Sequence, residues 1–195
     1  VLDPLGRTDN LYLKFLQDLQ NQDFKGDLRQ DYGTRLVTAT DNSIYQVMPQ
    51  AVVFPKDTED LKLVLELSAE EQYKKISLTP RGGGTGTNGQ SLSEGIIVDC
   101  SRHMNQILEL NLDEAWVRIQ PGVVLDQLND YLKPHGVFFA PNVSPSSRAT
   151  LGGMINTDAC GKGSRVYGRT SNHILELNCV LSNGETLQSF PIKDE

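Results

Sequence analysis

The chain has 195 residues, 38% of them hydrophobic and 22% charged, with a formal net charge of -7 and a pI near 5.0. That composition suits a domain with a sizeable apolar core, and its acidic balance excludes a nucleic-acid surface, which needs clustered Lys and Arg. Three widely spaced cysteines, Cys100, Cys160 and Cys179, with no Cys-x-x-Cys pair, argue against a disulfide framework, an iron–sulfur centre or a zinc knuckle within the chain, and make the cytoplasm the simplest location.

In chain order, the segment Val1–Asn10 carries Asp3, Pro4, Arg7 and Asp9 and reads as no secretory signal. Residues 8–22 read as an amphipathic helix, with Thr8 or Asp9 as cap and Leu11, Phe15 and Leu19 at helical spacing. Residues 23–50 read as mixed and irregular. Ala51–Phe54 is a short apolar strand, and Pro55–Asp60 is a helix start with an acidic first turn. The spacing predicts a helix to about Gln72, burying Leu61, Val64, Leu65 and Ser68. Ile76–Thr79 and Ile96–Cys100 are further strands. Ile107–Leu110 and Ala115–Gln120 form an expected hairpin. Leu125, Leu128 and Leu132 define a short helix ended by Pro134 and Gly136, and Val137–Ala140 is extended. Ile174–Ser182 and Thr186–Phe190 flank the turn Asn183-Gly184 as a second hairpin. No window approaches the ~20 apolar residues of a membrane span. The chain begins at Val1 and stops in Lys193-Asp194-Glu195, so excision from a longer protein is expected.

The strongest chemical signal is Pro80-Arg81-Gly82-Gly83-Gly84-Thr85-Gly86-Thr87-Asn88-Gly89, fenced by a strand on each side. Glycine permits positive φ and close approach of another group. Successive main-chain N–H groups in such a turn converge on an anion. Thr85, Thr87 and Asn88 add neutral donors, and Arg81 an orienting charge. A pyrophosphate, with many acceptor oxygens, suits this set; a flexible glycine tether is the plain alternative. A P-loop fails: no Lys follows the glycines, and Gly161-Lys162-Gly163 puts Gly in the hydroxyl position. Gly84–Gly89 matches Gly-x-Gly-x-x-Gly but opens no helix, so a Rossmann fingerprint is weak. The second signal, Thr150–Gly163, again mixes glycine with hydroxyl and amide residues. It is either a second wall for a long, bent ligand or a surface loop with a small-residue helix at 152–160.

Arg81–Thr85, Gln120-Pro121-Gly122-Val123, Thr150-Leu151-Gly152-Gly153 and Tyr167-Gly168 fall in an order that resembles the FAD-binding domain of the vanillyl-alcohol oxidase/p-cresol methylhydroxylase superfamily. The stretches Thr79–Gly89, Gly95–Asn105 and Arg148–Asp158 look most like large bacterial FAD-linked oxidoreductases acting on D-2-hydroxyglutarate or D-lactate. The resemblance implies an α+β fold of two small sheet-and-helix subdomains, incomplete at its C-terminus. Its expected divisions are an extension at 1–50 and an FAD-binding domain at 51–195, split into 51–100 and 101–195.

It further implies that Arg81, Gly82, Gly83, Gly84, Thr85, Gly86, Asn88 and Gly89 line the pyrophosphate and ribityl chain. Val123 would touch the adenosine half. Pro141, Thr150, Gly152, Gly153, Thr157, Asp158 and Gly161 would form the opposite wall, with Ile174 near the adenine. Asn156 and Asp158 stand where the family commonly has Ala and Asn, and an acid near phosphates needs shielding or a ribose hydroxyl. Some members tether flavin to a His at the position of Thr85, so dissociable FAD is expected. The group implies a small-molecule 2-hydroxy acid as substrate and an electron acceptor of unknown identity. An iron–sulfur cluster is implied only downstream, and His103, His135 and His173 form no catalytic set. The catalytic residues are therefore unknown, no metal site is expected, and turnover is expected of the full-length enzyme and not of this chain alone. Two other readings stay open: the same fold in an enolpyruvyl-sugar reductase or alcohol oxidase, or a non-catalytic nucleotide-binding module.

Overall fold

The structure, a computed structural model, describes residues 6–189. The architecture is α+β, and the described residues fall into two compact units. The first holds the chain up to Arg81, Gly86–Asp99 and the chain from Glu176 on; the second holds Gly82–Thr85 and Cys100–Leu175.

In the first unit, α1 (Asn10–Asn21) is capped by Asp9, whose carboxylate accepts from Leu11 N, and it buries Phe15, Leu16 and Leu19. Phe15 meets Tyr73 edge-on at 5.2 Å, and the Tyr73 hydroxyl donates to Asp18. The stretch 23–50 is more ordered than expected. It contains β1 (Asp27–Arg29) and α2 (Tyr32–Thr38). Asp31 caps α2 by accepting from Thr34 N at 2.9 Å. Arg35 is only 4% exposed and donates to the carbonyls of Pro49 and Gly6, both at 2.6 Å. One buried guanidinium satisfying two distant carbonyls orders a segment that lacks an apolar stripe.

Strand β2 (Ala51–Phe54) lies where expected, followed by α3 (Thr58–Ala69). The α3 face differs from the expected one: Asp60, Val64 and Leu67 are buried. Asp60 is 1% exposed because its carboxylate accepts from Lys25 N at 2.9 Å and Lys56 N at 2.8 Å. Satisfying those two donors turns the helix so that Leu67 replaces Leu65 and Ser68 inside. Strand β3 (Leu78–Arg81) starts two residues later than expected, because Ile76 closes a turn by donating to Tyr73 O at 2.8 Å. Pro80 lies within β3 and does not end it. The sheet order is β1-β2-β4-β3 with β4 spanning Ile96–Asp99, so β3 is an edge, where proline's missing N–H is tolerated. The central pair β2 and β4 run parallel and are buried at every residue.

In the second unit, β5 (Ile107–Asn111) and β6 (Trp116–Ile119) form the expected antiparallel hairpin. Ile107, Leu110, Val117 and Ile119 pack on a core of Val123, Leu125, Leu128, Leu132, Ala149, Leu151 and Met154. Helix α4 (Leu125–Leu132) buries the three predicted leucines, and Gly136 ends the following turn at φ +73°. Val137–Ala140 joins no sheet. The second glycine-rich stretch holds α5 (Leu151–Asn156), shorter than a helix at 152–160, and α6 (Ser164–Tyr167) follows it.

Strands β7 (Leu177–Val180) and β8 (Thr186–Ser189) form the expected second hairpin, with Gly184 at φ +83° in its turn. Phe190, its expected last residue, lies outside the described residues. The division into units differs from a split at 1–50, 51–100 and 101–195. Strand β1 pairs with β2, and the hairpin turn packs on α3, where a Cβ on Gly184 would stand 2.1 Å from Glu66 Cγ.

Asp60→Ala leaves two main-chain donors without their acceptor. It should lower the unfolding free energy by about 2–4 kcal/mol, read from thermal or urea unfolding. A change indistinguishable from zero would remove Asp60 as the reason for the α3 rotation.

Candidate functional site

The first glycine-rich loop passes from one unit to the other and back. In the second unit, Gly82 and Gly83 lie directly on the segment that opens α5. A Cβ on Gly82 would stand 2.1 Å from Thr150 Oγ1, and one on Gly83 would stand 1.9 Å from Arg148 O. Real side-chain carbons do not reach such distances. These glycines are therefore required first by the chain's own packing. Gly84 takes φ +61°, which glycine adopts without strain. Among the described residues, no hydrogen bond occupies the N–H groups of Gly82, Gly83, Gly84 or Thr85.

The segment beneath is itself tied down. Leu125 N donates to Ala149 O at 3.0 Å, Leu151 N to Val123 O at 2.8 Å and Gly152 N to Pro121 O at 2.8 Å. A Cβ on Gly152 would meet Pro121 Cβ at 2.7 Å and its carbonyl at 2.9 Å. Gly122 N donates to Met104 O at 2.7 Å. Three of the four sequence motifs thus meet in one place: Gly82–Thr85 on 148–150, and 148–152 on Pro121–Val124. Thr150 is 2% exposed and caps α5 by accepting from Gly153 N at 3.4 Å. Gly153 is exposed, as is Thr157, whose hydroxyl donates to Gly153 O at 3.0 Å.

Other predicted residues are used differently. Val123 is 1% exposed, with its side chain in the core. Its N–H donates to Gln120 O and its carbonyl accepts from Leu151 N, so it supports the loop from below. Pro141 is buried, Ile174 is half-buried, and Gly161 packs on Asn142, whose carbonyl a Cβ would meet at 1.9 Å. Asp158 sits at φ +43° and accepts from Ser171 N at 3.0 Å, with Arg169 Nη1 at 3.5 Å from its other oxygen. The Ser171 donors, then Arg169, hold its carboxyl below the usual carboxylate range. Its carboxylate thus faces Ser171 and Arg169, which follow the loop in the chain.

In the first unit, Arg81 is engaged by the chain itself. Its guanidinium donates to Thr40 O at 2.8 Å, Thr38 O at 3.3 Å and Ser91 Oγ at 3.3 Å. Burial lowers its pKa, opposed by the charges of Asp99 and Asp41. Gly86 packs on the Gln90 amide, and Asn88 N donates to Gln90 Oε1 at 3.1 Å. Gly89 takes φ +74° beside Tyr45. Sequence reasoning missed this residue, because nothing in the polar stretch before Ala51 marks Tyr45 as a neighbour of the glycines.

A cavity of about 460 Å³ in the second unit is lined by Asn129, Phe138, Phe139, Asn142, Lys162 and Tyr167 among others. It takes in part of the second glycine-rich stretch and none of Gly82–Thr85. His173 Nε2 bonds Tyr167 O at 2.6 Å, which fixes its ring. Among the described residues no three His, Cys, Asp or Glu side chains gather as a metal site, and no helix is long and apolar enough to cross a membrane.

Residues 49–189 match the family described as FAD binding domain. The chain is 61% identical over 183 residues to a D-2-hydroxyglutarate dehydrogenase of Pseudomonas putida, covering 94% of this chain and 18% of that protein. It is 58% identical to a protein of the same name from Escherichia coli, over 95% of this chain and again 18% of the relative. The chain therefore spans about a fifth of the length of these relatives. Among solved structures, alkyldihydroxyacetonephosphate synthase matches with a TM-score of 0.82 at 22% identity, over 94% of this chain and 39% of that one. p-Cresol methylhydroxylase matches with a TM-score of 0.73 at 18% identity, over 94% and 36%. These likenesses show a shared fold, that of the p-cresol methylhydroxylase type. With well over half its residues matched, the chain belongs to the FAD binding domain family.

Proposed function

We propose that this chain is the FAD-binding part of a flavin-dependent dehydrogenase that oxidises a 2-hydroxy acid, of the D-2-hydroxyglutarate or D-lactate type. The observation that carries it is the seating of Gly82 and Gly83 on Arg148 and Thr150, with unoccupied N–H groups above a segment held rigid from below. Such groups suit a diphosphate, which needs several donors at fixed positions. FAD, for which the family is named, carries one. The substrate follows from relatives at 61% and 58% identity that are named for D-2-hydroxyglutarate.

Gly82, Gly83, Gly84 and Thr85 would hold the diphosphate through their amides, with Gly152, Gly153 and Thr157 as the second wall. Arg81 acts by ordering the loop's entry and Val123 by packing beneath it. Asp158 is compatible with a nearby anion because Ser171 and Arg169 already face its charge. Thr85 offers no nucleophile suited to a flavin tether, so the cofactor is dissociable. When bound, FAD supplies the hydride acceptor. The base and the cations that hold the substrate carboxylate lie outside this chain, as does any iron–sulfur cluster. Residues 51–195 make up the FAD-binding region, and the cytoplasm is the location we assign.

In the full-length enzyme, Gly83→Val and Gly152→Val drive a side chain into Arg148 O and into Pro121, respectively. Each should weaken FAD retention at least ~10-fold, measured as visible flavin absorbance per polypeptide. Wild-type flavin content in both variants would remove the proposed site. Anaerobic D-2-hydroxyglutarate or D-lactate should bleach the flavin of the full-length protein, and NADPH should not. Bleaching by NADPH alone would point to the sugar reductase reading instead, and a protein that takes up no FAD to a module without redox function.

A further inference from the structure

The segment between α2 and β2 precedes the region matched by the family, which begins at residue 49, yet it grips the first glycine-rich loop. Thr40 and Gln46 form an antiparallel bridge, and Val47 N donates to Ala39 O at 2.9 Å, which closes residues 40–46 into a compact loop. This loop meets the glycine-rich segment at three points, all within the first unit. At the entry, Arg81 donates to Thr40 O at 2.8 Å. At the exit, Ser91 Oγ donates to Asp41 Oδ2 at 3.1 Å. Between them, the Tyr45 ring leans on Gly89, where a Cβ would stand 2.9 Å from Tyr45 Cδ2.

The loop is internally stiff. Asp41 Oδ1 accepts from Ser43 N at 2.8 Å, and Ser43 Oγ accepts from Tyr45 N at 3.1 Å. Burial pushes the Asp41 carboxyl up, but the bonds from Ser43 and Ser91 and the charge of Arg81 outweigh it and hold it below the usual carboxylate range. It therefore stays a charged acceptor at neutral pH. Tyr45 is 55% exposed although its ring rests on the glycine backbone, and Ile44 beside it is 94% exposed. A ring that is half exposed contributes little to a core. It does limit where Gly89 can go, and Gly89 already occupies φ +74°.

We infer that the loop of residues 40–46 is a buttress for the cofactor loop, with Tyr45 as a positioning residue that limits the Gly86–Gly89 backbone where the chain continues from Gly82–Thr85. The inference rests on the proposed FAD site. A flexible glycine run loses conformational freedom when it closes on a ligand, and a ring that restricts it beforehand lowers that cost. Tyr45 acts through Gly89 and touches no reacting atom.

The test uses full-length enzyme stripped of flavin, with FAD itself as the probe. Tyr45→Ala should weaken FAD binding about 10-fold and alter the visible circular dichroism of the bound flavin. The melting temperature of the flavin-free protein should stay unchanged. Tyr45→Phe should restore both signals, because the ring and not the hydroxyl makes the contact. Ser91→Ala, which removes the bonds of the Ser91 hydroxyl to Asp41 and to Arg81, should weaken FAD in the same direction, and it carries the test if Tyr45→Ala does not fold. Wild-type affinity and dichroism in the variants would overturn the buttress while leaving the FAD site standing. A wild-type protein that takes up no FAD would overturn both.

Discussion

The site depends on the absence of two side chains. At Gly82 and Gly83 the backbone comes so close to Thr150 and Arg148 that a Cβ would fall within 2.1 and 1.9 Å of their atoms. That proximity brings together two stretches of chain separated by the hairpin of β5 and β6 and by α4. It leaves the amides of Gly82–Thr85 with no acceptor of their own among the described residues. Glycine's freedom of approach is here used first between parts of the same chain, and recognition of a ligand is built on that packing. The layer below is fixed by main-chain bonds: Leu151 and Gly152 donate to Val123 and Pro121, over a core of leucines. Rigid support of this kind lets weak individual donors act together, since little ordering remains to be done on binding.

The charged groups beside the two glycine-rich stretches are engaged by the chain itself. Arg81, which lies next to the glycines, is held by the carbonyls of Thr38 and Thr40 and by Ser91. Asp158, which would repel a phosphate if left bare, is met by Ser171 and Arg169. The N–H groups of Gly82–Thr85 are neutral dipoles. An acidic chain with a formal charge of -7 can then accommodate an anionic cofactor through local N–H groups, whatever its net charge.

Much of this was readable from residue order. The strand Ala51–Phe54, the leucines of α4 and the Asn183-Gly184 turn each carry a strong local signal, and each stands where that signal places it. The glycine runs themselves announced a close approach. What escaped reading were features set by tertiary partners. The α3 face is turned by Asp60, whose two acceptor bonds come from Lys25 and Lys56. Strand β3 runs through Pro80 because it lies at an edge, which only the strand order reveals. The segment 27–38 is ordered by Arg35 reaching carbonyls 14 and 29 residues away. Val123 was legible as part of a motif, but its burial was not.

The account turns on whether the amides of Gly82–Thr85 are where a diphosphate sits. Hydrogen–deuterium exchange of the flavin-free full-length enzyme measures this directly, with FAD added in one sample and riboflavin, which lacks the diphosphate, in another. Peptides covering residues 82–85 and 148–153 should exchange more slowly with FAD and little changed with riboflavin. Unaltered exchange in both peptides at saturating FAD would contradict the account.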